Sequence, residues 1–123
     1  ERLSISQLLN LKNCKNKTIL IAEDELNNYL FIKEVLKVFK FEILHAINGI
    51  EAIEIVKKST KIDLILLDIK MPILDGFKAF QEIKKIKPEV PIIAQTAYAM
   101  FYDKEKVLYK VNKLLNCNHG KGD

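Results

Sequence analysis

An α/β fold built on a doubly wound parallel sheet is predicted by two features of the sequence. Short apolar runs rich in β-branched residues alternate with longer amphipathic stretches, and those runs are unbroken rather than alternating with polar residues. A strand that is apolar throughout must be covered on both faces, and right-handed crossovers place helices there. The chain has 123 residues, 49% of them hydrophobic, with only 4 Gly and 3 Pro, which suits one core and excludes a disordered or fibrous chain.

The first strand is expected at residues 18–22, where Thr18, Ile19, Leu20, Ile21 and Ala22 form an apolar run. A helix follows over 27–39, with Leu30, Val35, Leu36 and Phe39 recurring near helical spacing. Residues 41–46 form the second strand, and Asn48-Gly49 opens a helix in which Ile50, Ile53, Ile55 and Val56 are interleaved with Glu51, Glu54, Lys57 and Lys58. The third strand, 64–69, is the most apolar. After the turn through Met71, Pro72, Asp75 and Gly76 comes a helix to about Lys87, with Phe77, Phe80, Ile83 and Ile86 on one face. Pro88 and Pro91 bracket the next loop, 91–97 is the fourth strand, and Val107, Leu108, Val111, Leu114 and Leu115 mark a helix over 103–115. No fifth strand follows. Residues 1–17 read as a linker or appended segment with some helical tendency, 18–115 as the domain, and 116–123 as an irregular tail.

Charge is unevenly distributed. Residues 1–17 carry four basic and one acidic residue and residues 104–123 five and two, so each end is +3 while the middle is −2. Nineteen of the twenty cations are Lys, which lacks the planar fork of Arg, and nucleic-acid binding by this segment is not expected. No apolar run approaches the ~18 residues of a membrane span, and no export signal is in view; a piece of a longer chain is inferred. Cys14 and Cys117 lie one in each basic end with no metal-binding or redox spacing, and free, incidental thiols are expected. His45, inside an apolar run, reads as a packed or half-exposed imidazole rather than a ligand.

In doubly wound sheets the ligand crevice lies beyond the carboxyl ends of the strands, where strand order reverses. Glu23 and Asp24 follow the first strand, Asp68 ends the third and Thr96 stands near the end of the fourth. If the first and third strands are neighbours, three carboxylates crowd together and raise one another's pKa unless a cation neutralises them. Carboxylates, a carbonyl and water suit Mg²⁺, with Asp68 as a nucleophile toward phosphorus and a Thr hydroxyl as donor to a phosphoryl oxygen. The plainer alternatives are that Asp24 caps the helix over 27–39 and that Thr96 is an ordinary strand residue. Asp68, ending so apolar a strand, needs a partner for its charge.

The stretches 19–24 (Ile-Leu-Ile-Ala-Glu-Asp), 63–76 (from Asp63 through Asp68, Lys70, Met71 and Pro72 to Asp75 and Gly76) and 91–97 together resemble the receiver domain of two-component response regulators; the Ala94–Met100 stretch looks most like receivers fused to hybrid sensor histidine kinases. The resemblance implies a flavodoxin-like receiver fold, a cytoplasmic location, which could be the cytoplasmic part of a membrane-bound hybrid kinase, and a place in a phosphorelay. It also implies that Asp68 accepts a phosphoryl group from a sensor histidine kinase or histidine phosphotransfer protein. Glu23, Asp24, Asp68 and the backbone carbonyl of Lys70 would hold Mg²⁺, and Thr96 would be the switch hydroxyl. Met71, Pro72, Asp75 and Gly76 would shape the loop, with Asp75 capping the third helix. Such a domain modifies itself and is not a turnover enzyme; the output surface would lie near Tyr98, Met100 and Phe101.

The resemblance departs at the end of the chain. The family has a Lys-Pro closing a fifth strand, followed by a fifth helix, and its Lys would fall near Asn118, but no Lys-Pro follows Thr96. Losing that cation would slow phosphoryl transfer by ~10²-fold unless Lys110, Lys113 or Lys121 replaces it. A bare fourth strand would invite another chain, giving a homodimer, or the N-terminal segment to add a strand. A degenerate receiver acting as a binding or dimerisation module is thus the alternative. An aspartate-nucleophile phosphatase is disfavoured because Lys70 stands where its second acid would be.

Overall fold

Five helices and four strands alternate along the chain in the computed structural model, which describes residues 2–59, 61–71, 75–95 and 103–118. The strands are β1 (Thr18–Ala22), β2 (Glu42–Ala46), β3 (Leu64–Asp68) and β4 (Ile92–Gln95), all parallel, in the order β2-β1-β3-β4. Every residue of β1 is buried, as its unbroken apolar run requires. The order reverses between β1 and β3, so the switch point falls where the acidic residues were expected to meet.

Strand alternation divides the core in two. Ile19, Ile21, Leu64, Leu66 and Ile93 face α2 (Leu26–Lys37) and α5 (Lys104–Leu114), whose Ile32, Leu36, Val107 and Val111 are buried against them. Leu20, Ala22, Ile65 and Leu67 face α3 (Gly49–Lys58) and α4 (Gly76–Ile86) through Ala52, Val56, Ala79 and Ile83. Three of these helices start at a side-chain cap, which satisfies backbone N–H groups that have no partner within the helix. Asn48 accepts from Glu51 N, Asp75 from Lys78 N, and Asp103 from Glu105 N and Lys106 N. The cap expected of Asp75 is therefore present.

The two ends of the chain depart from expectation. Residues 1–17 were read as a linker with some helical tendency, and a helix does form there, but a docked one: α1 (Ile5–Lys12) opens with a capping box between Ser4 and Gln7 and buries Asn10 and Leu11 beside α5. Asn10 clasps the two helices: its Nδ2 donates to Asn112 Oδ1 (2.6 Å) and to Leu115 O (2.7 Å), and its Oδ1 accepts from Cys117 N (2.6 Å). The idea that this segment adds a strand to the sheet is corrected, because it is helical and packs on the helical layer. The thiols are not free either: Cys14 and Cys117 form a disulfide, with Cα atoms 5.3 Å apart and a separation of 103 positions in sequence. The docking of α1 brings the two basic ends together, which no local spacing announces.

Among the described residues β4 is the last strand, and residues 115–118 follow α5 without regular structure. The absence of a fifth strand from the sequence pattern agrees with this. No helix among the described residues is long and apolar enough to cross a membrane.

Candidate metal and phosphoryl-acceptor site

Pairing of Ala22 with Leu67 sets the next residues, Glu23 and Asp68, side by side at the carboxyl ends of β1 and β3. Asp24 follows in the turn into α2. One carboxylate oxygen from each of Glu23, Asp24 and Asp68 lies within 4.8 Å of the others. Glu23 is 2% exposed, Asp24 exposed and Asp68 intermediate, so the cluster runs from the core to the surface. Two unit charges this close repel by at least about 3 kcal/mol at an effective dielectric of ~20.

Glu23 is held at four points. Its N–H donates to Ala46 O (2.9 Å) and its carbonyl accepts from His45 Nε2 (2.9 Å). Its Oε2 accepts from Glu25 N (3.0 Å) and, weakly, from Asn28 Nδ2 (3.4 Å). Burial pushes its carboxyl up from 4.5 to about 7; the negative charges of Asp68 and Asp24 add to the rise, while the donors on Glu25 and Asn28 offset part of it. Asp68 Oδ1 accepts from Lys70 N (2.9 Å), which folds the chain after β3 back over the site.

The capping alternative for Asp24 is not realised: Glu25 occupies the N-cap of α2 and makes no side-chain cap. Thr96 lies outside the described residues, as do Pro72, Tyr98, Met100, Phe101 and Lys121; β4 brings the chain as far as Gln95, in register with Asp68. Lys113 reaches over the Tyr109 ring, 5.9 Å from its centroid, and lines a surface cleft together with Asn10 of α1.

Gly76 completes the loop's geometry. Its N–H donates to Ile69 O (2.9 Å), and a Cβ there would lie 2.4 Å from both Asp68 O and Ile69 Cα. Only glycine lets α4 start this close to the strand end that bears Asp68.

Residues 19–113 match the profile of the response regulator receiver domain. The chain belongs to this family. The autoinducer 1 sensor kinase/phosphatase LuxN of Vibrio campbellii is 34% identical over 104 residues, covering 85% of this chain and 12% of LuxN. Hybrid signal transduction histidine kinase I of Dictyostelium discoideum is 42% identical over 98 residues, covering 73% of this chain and 6% of that kinase. The chain thus spans a small part of the length of both of these relatives. Among solved structures, the receiver domain of a sensor histidine kinase from Pseudomonas aeruginosa superposes with a TM-score of 0.63 at 33% identity, covering 76% of this chain and 78% of that one, and its active-site cleft coordinates a magnesium ion. The resemblance to receivers of hybrid kinases is borne out, and the receiver carries its acidic cluster at the place the fold reserves for ligands.

Sequence reasoning did not single out Asn28 or His45 as partners of the site. Asn28 carried a signal, a polar residue on the buried side of α2 five positions after Glu23. His45 carried none beyond its place in an apolar run.

Proposed function

We propose that this receiver domain accepts a phosphoryl group on Asp68 from a phosphohistidine of a sensor histidine kinase or histidine phosphotransfer protein, within a cytoplasmic phosphorelay. The observation that carries this reading is the convergence of three carboxylate oxygens within 4.8 Å at the switch point, one of them on Asp68. The donor set fits Mg²⁺: Glu23, Asp24, Asp68 and the Lys70 carbonyl are hard oxygens, and two of the three side chains reach the surface, leaving room for water and phosphate. When bound, Mg²⁺ neutralises charge that would otherwise repel the phosphoryl oxygens.

The chain's own residues do the rest. Asp68 is the nucleophile: a carboxylate oxygen bonds to phosphorus as the P–N bond breaks, its electron pair passing to the imidazole nitrogen, and an acyl phosphate remains. Glu23, anchored by Glu25 N, carries negative charge at a fixed distance from Asp68. Thr96, following the strand residue in register with Asp68, supplies the switch hydroxyl, and the segment with Tyr98, Met100 and Phe101 transmits the change. The domain catalyses only its own modification, and neither nucleic acid nor membrane is a partner of this segment.

Incubation with a small phosphodonor and Mg²⁺ is expected to add one phosphoryl group by intact mass and none to Asp68→Asn. Labelling of Asp68→Asn overturns the assignment. A second reading, a receiver that serves as a binding or dimerisation module, draws on the sheet ending at β4 among the described residues and on the lack of a Lys-Pro after Thr96 in this sequence. A dimer whose mass is blind to beryllofluoride would favour it.

A further inference from the structure

Where the ladder between β1 and β2 ends, one backbone carbonyl needs a donor. Glu42 N donates to Lys17 O and Glu23 N to Ala46 O, so regular parallel pairing would next give Glu23 O the N–H of residue 48. Asn48 has instead turned away to cap α3 through its side chain. The Glu23 carbonyl belongs to a residue 2% exposed, and an unsatisfied buried acceptor is costly.

His45 supplies the donor. It lies on β2 one residue before Ala46, on the face turned to α2, and its Nε2 stands 2.9 Å from Glu23 O. A carbonyl can only accept, so Nε2 carries the proton. The ring is fixed in that direction by Tyr29 of α2, stacked on it with centroids 3.5 Å apart and planes 4° from parallel. Glu23 and Asp24 sit between β1 and α2, and the His45 ring bridges both sides of that turn: its donor holds the strand end, its face the first part of the helix.

We infer that His45 is a positioning residue for the cation site, its Nε2–H holding the Glu23 backbone and its stack on Tyr29 holding the turn that presents Glu23 and Asp24 to Asp68. The inference rests on the proposed Mg²⁺ site and assigns to it a residue that is not itself a ligand. A space-filling imidazole would make a different demand: any flat ring of similar size would serve.

Substitution separates the two. His45→Phe keeps a ring against Tyr29 and removes the donor, and His45→Gln returns an N–H donor at a similar reach without the aromatic stack. Mg²⁺ titration of each folded protein, followed through the Glu25 and Asp68 amide resonances, is expected to show affinity about 5- to 10-fold weaker in His45→Phe, as for loss of one hydrogen bond, and largely recovered in His45→Gln. A folded His45→Phe that binds Mg²⁺ like the wild type overturns the inference, as does a His45→Gln no better than His45→Phe. Should His45→Phe fail to fold by circular dichroism, Tyr29→Leu carries the test: affinity is expected to fall at least twofold, and an unchanged value overturns the claim. A wild-type domain without Mg²⁺ affinity would overturn the proposed site and this inference together, whereas normal wild-type binding with indifferent variants removes His45 alone.

Discussion

Replacing Glu23 by Gln should stabilise the metal-free domain above neutral pH and leave it nearly unchanged at pH 4. The folded carboxyl titrates at about 7 against 4.5 when unperturbed, chiefly because it is buried. Below 4.5 both folded and unfolded states hold the proton, and burial of the neutral acid is tolerated. Between 4.5 and 7 the unfolded chain releases its proton while the folded one keeps it, so stability falls as pH rises. At ~1.4 kcal/mol per pH unit the loss reaches roughly 3 kcal/mol by pH 8. Gln keeps an oxygen to accept from Glu25 N and carries no charge, so Glu23→Gln escapes that loss. Urea melts in EDTA at pH 4 and pH 8 would show the variant ahead by up to about 3 kcal/mol at pH 8 and level at pH 4. A variant that is less stable at pH 8, or whose advantage is the same at both values, would refute the assignment of burial as the dominant cause.

Other expectations can be checked beside it. Gly76→Ala would drive a Cβ to 2.4 Å from Asp68 O and Ile69 Cα, both backbone atoms, so α4 must shift; a loss of about 1–3 kcal/mol in urea and slower labelling of Asp68 are expected. Cys14→Ser, or reduction of the wild type, opens a link spanning 103 residues and should cost about 2–4 kcal/mol in chemical denaturation, while the Asn10 clasp keeps α1 docked, so the far-ultraviolet circular dichroism should not change. In the reducing cytoplasm proposed for this domain such a bond would open, so phosphorylation is to be assayed on the reduced as well as the oxidised protein.

What could be read from the sequence was whatever depends on local period. The unbroken runs at Thr18–Ala22 and from Leu64 to Leu67 marked buried parallel strands because a half-exposed strand would have alternated, and the switch-point rule then carried Glu23, Asp24 and Asp68 to one place. The failures lie where contact is distant in sequence. In α1 the apolar residues at helical spacing, Ile5, Leu8 and Leu9, are exposed while Asn10 and Leu11 are buried, so the apolar pattern does not announce the docked face, and its partners Asn112, Leu115 and Cys117 lie more than a hundred residues on. Asn10 in particular looks like a surface residue until Leu115 O and Cys117 N are seen to need a partner. His45 was read as a packed or half-exposed imidazole and is half-buried, but its hydrogen bond to the Glu23 carbonyl depends on where β2 stops and Asn48 turns, a tertiary fact with no counterpart in composition.

The cluster has two ways to relieve its own repulsion, and they compete. A proton on Glu23 removes one of three negative charges within 4.8 Å, and a divalent cation offsets them without it, so binding must expel that proton wherever Glu23 still holds one. Below pH 7 affinity for Mg²⁺ should therefore climb by nearly tenfold per pH unit, then level off between 7 and 8 as Glu23 becomes fully ionised. Titration calorimetry at pH 6, repeated in two buffers of different ionisation enthalpy, would show close to one proton released per ion bound, and the same experiment at pH 8 would show almost none. Glu23→Gln should bind more weakly at pH 8 and lose the pH dependence between 5.5 and 7. An affinity flat across that range in the wild type would mean that the ion does not meet Glu23, and with it the set of ligands drawn from the switch point would fail.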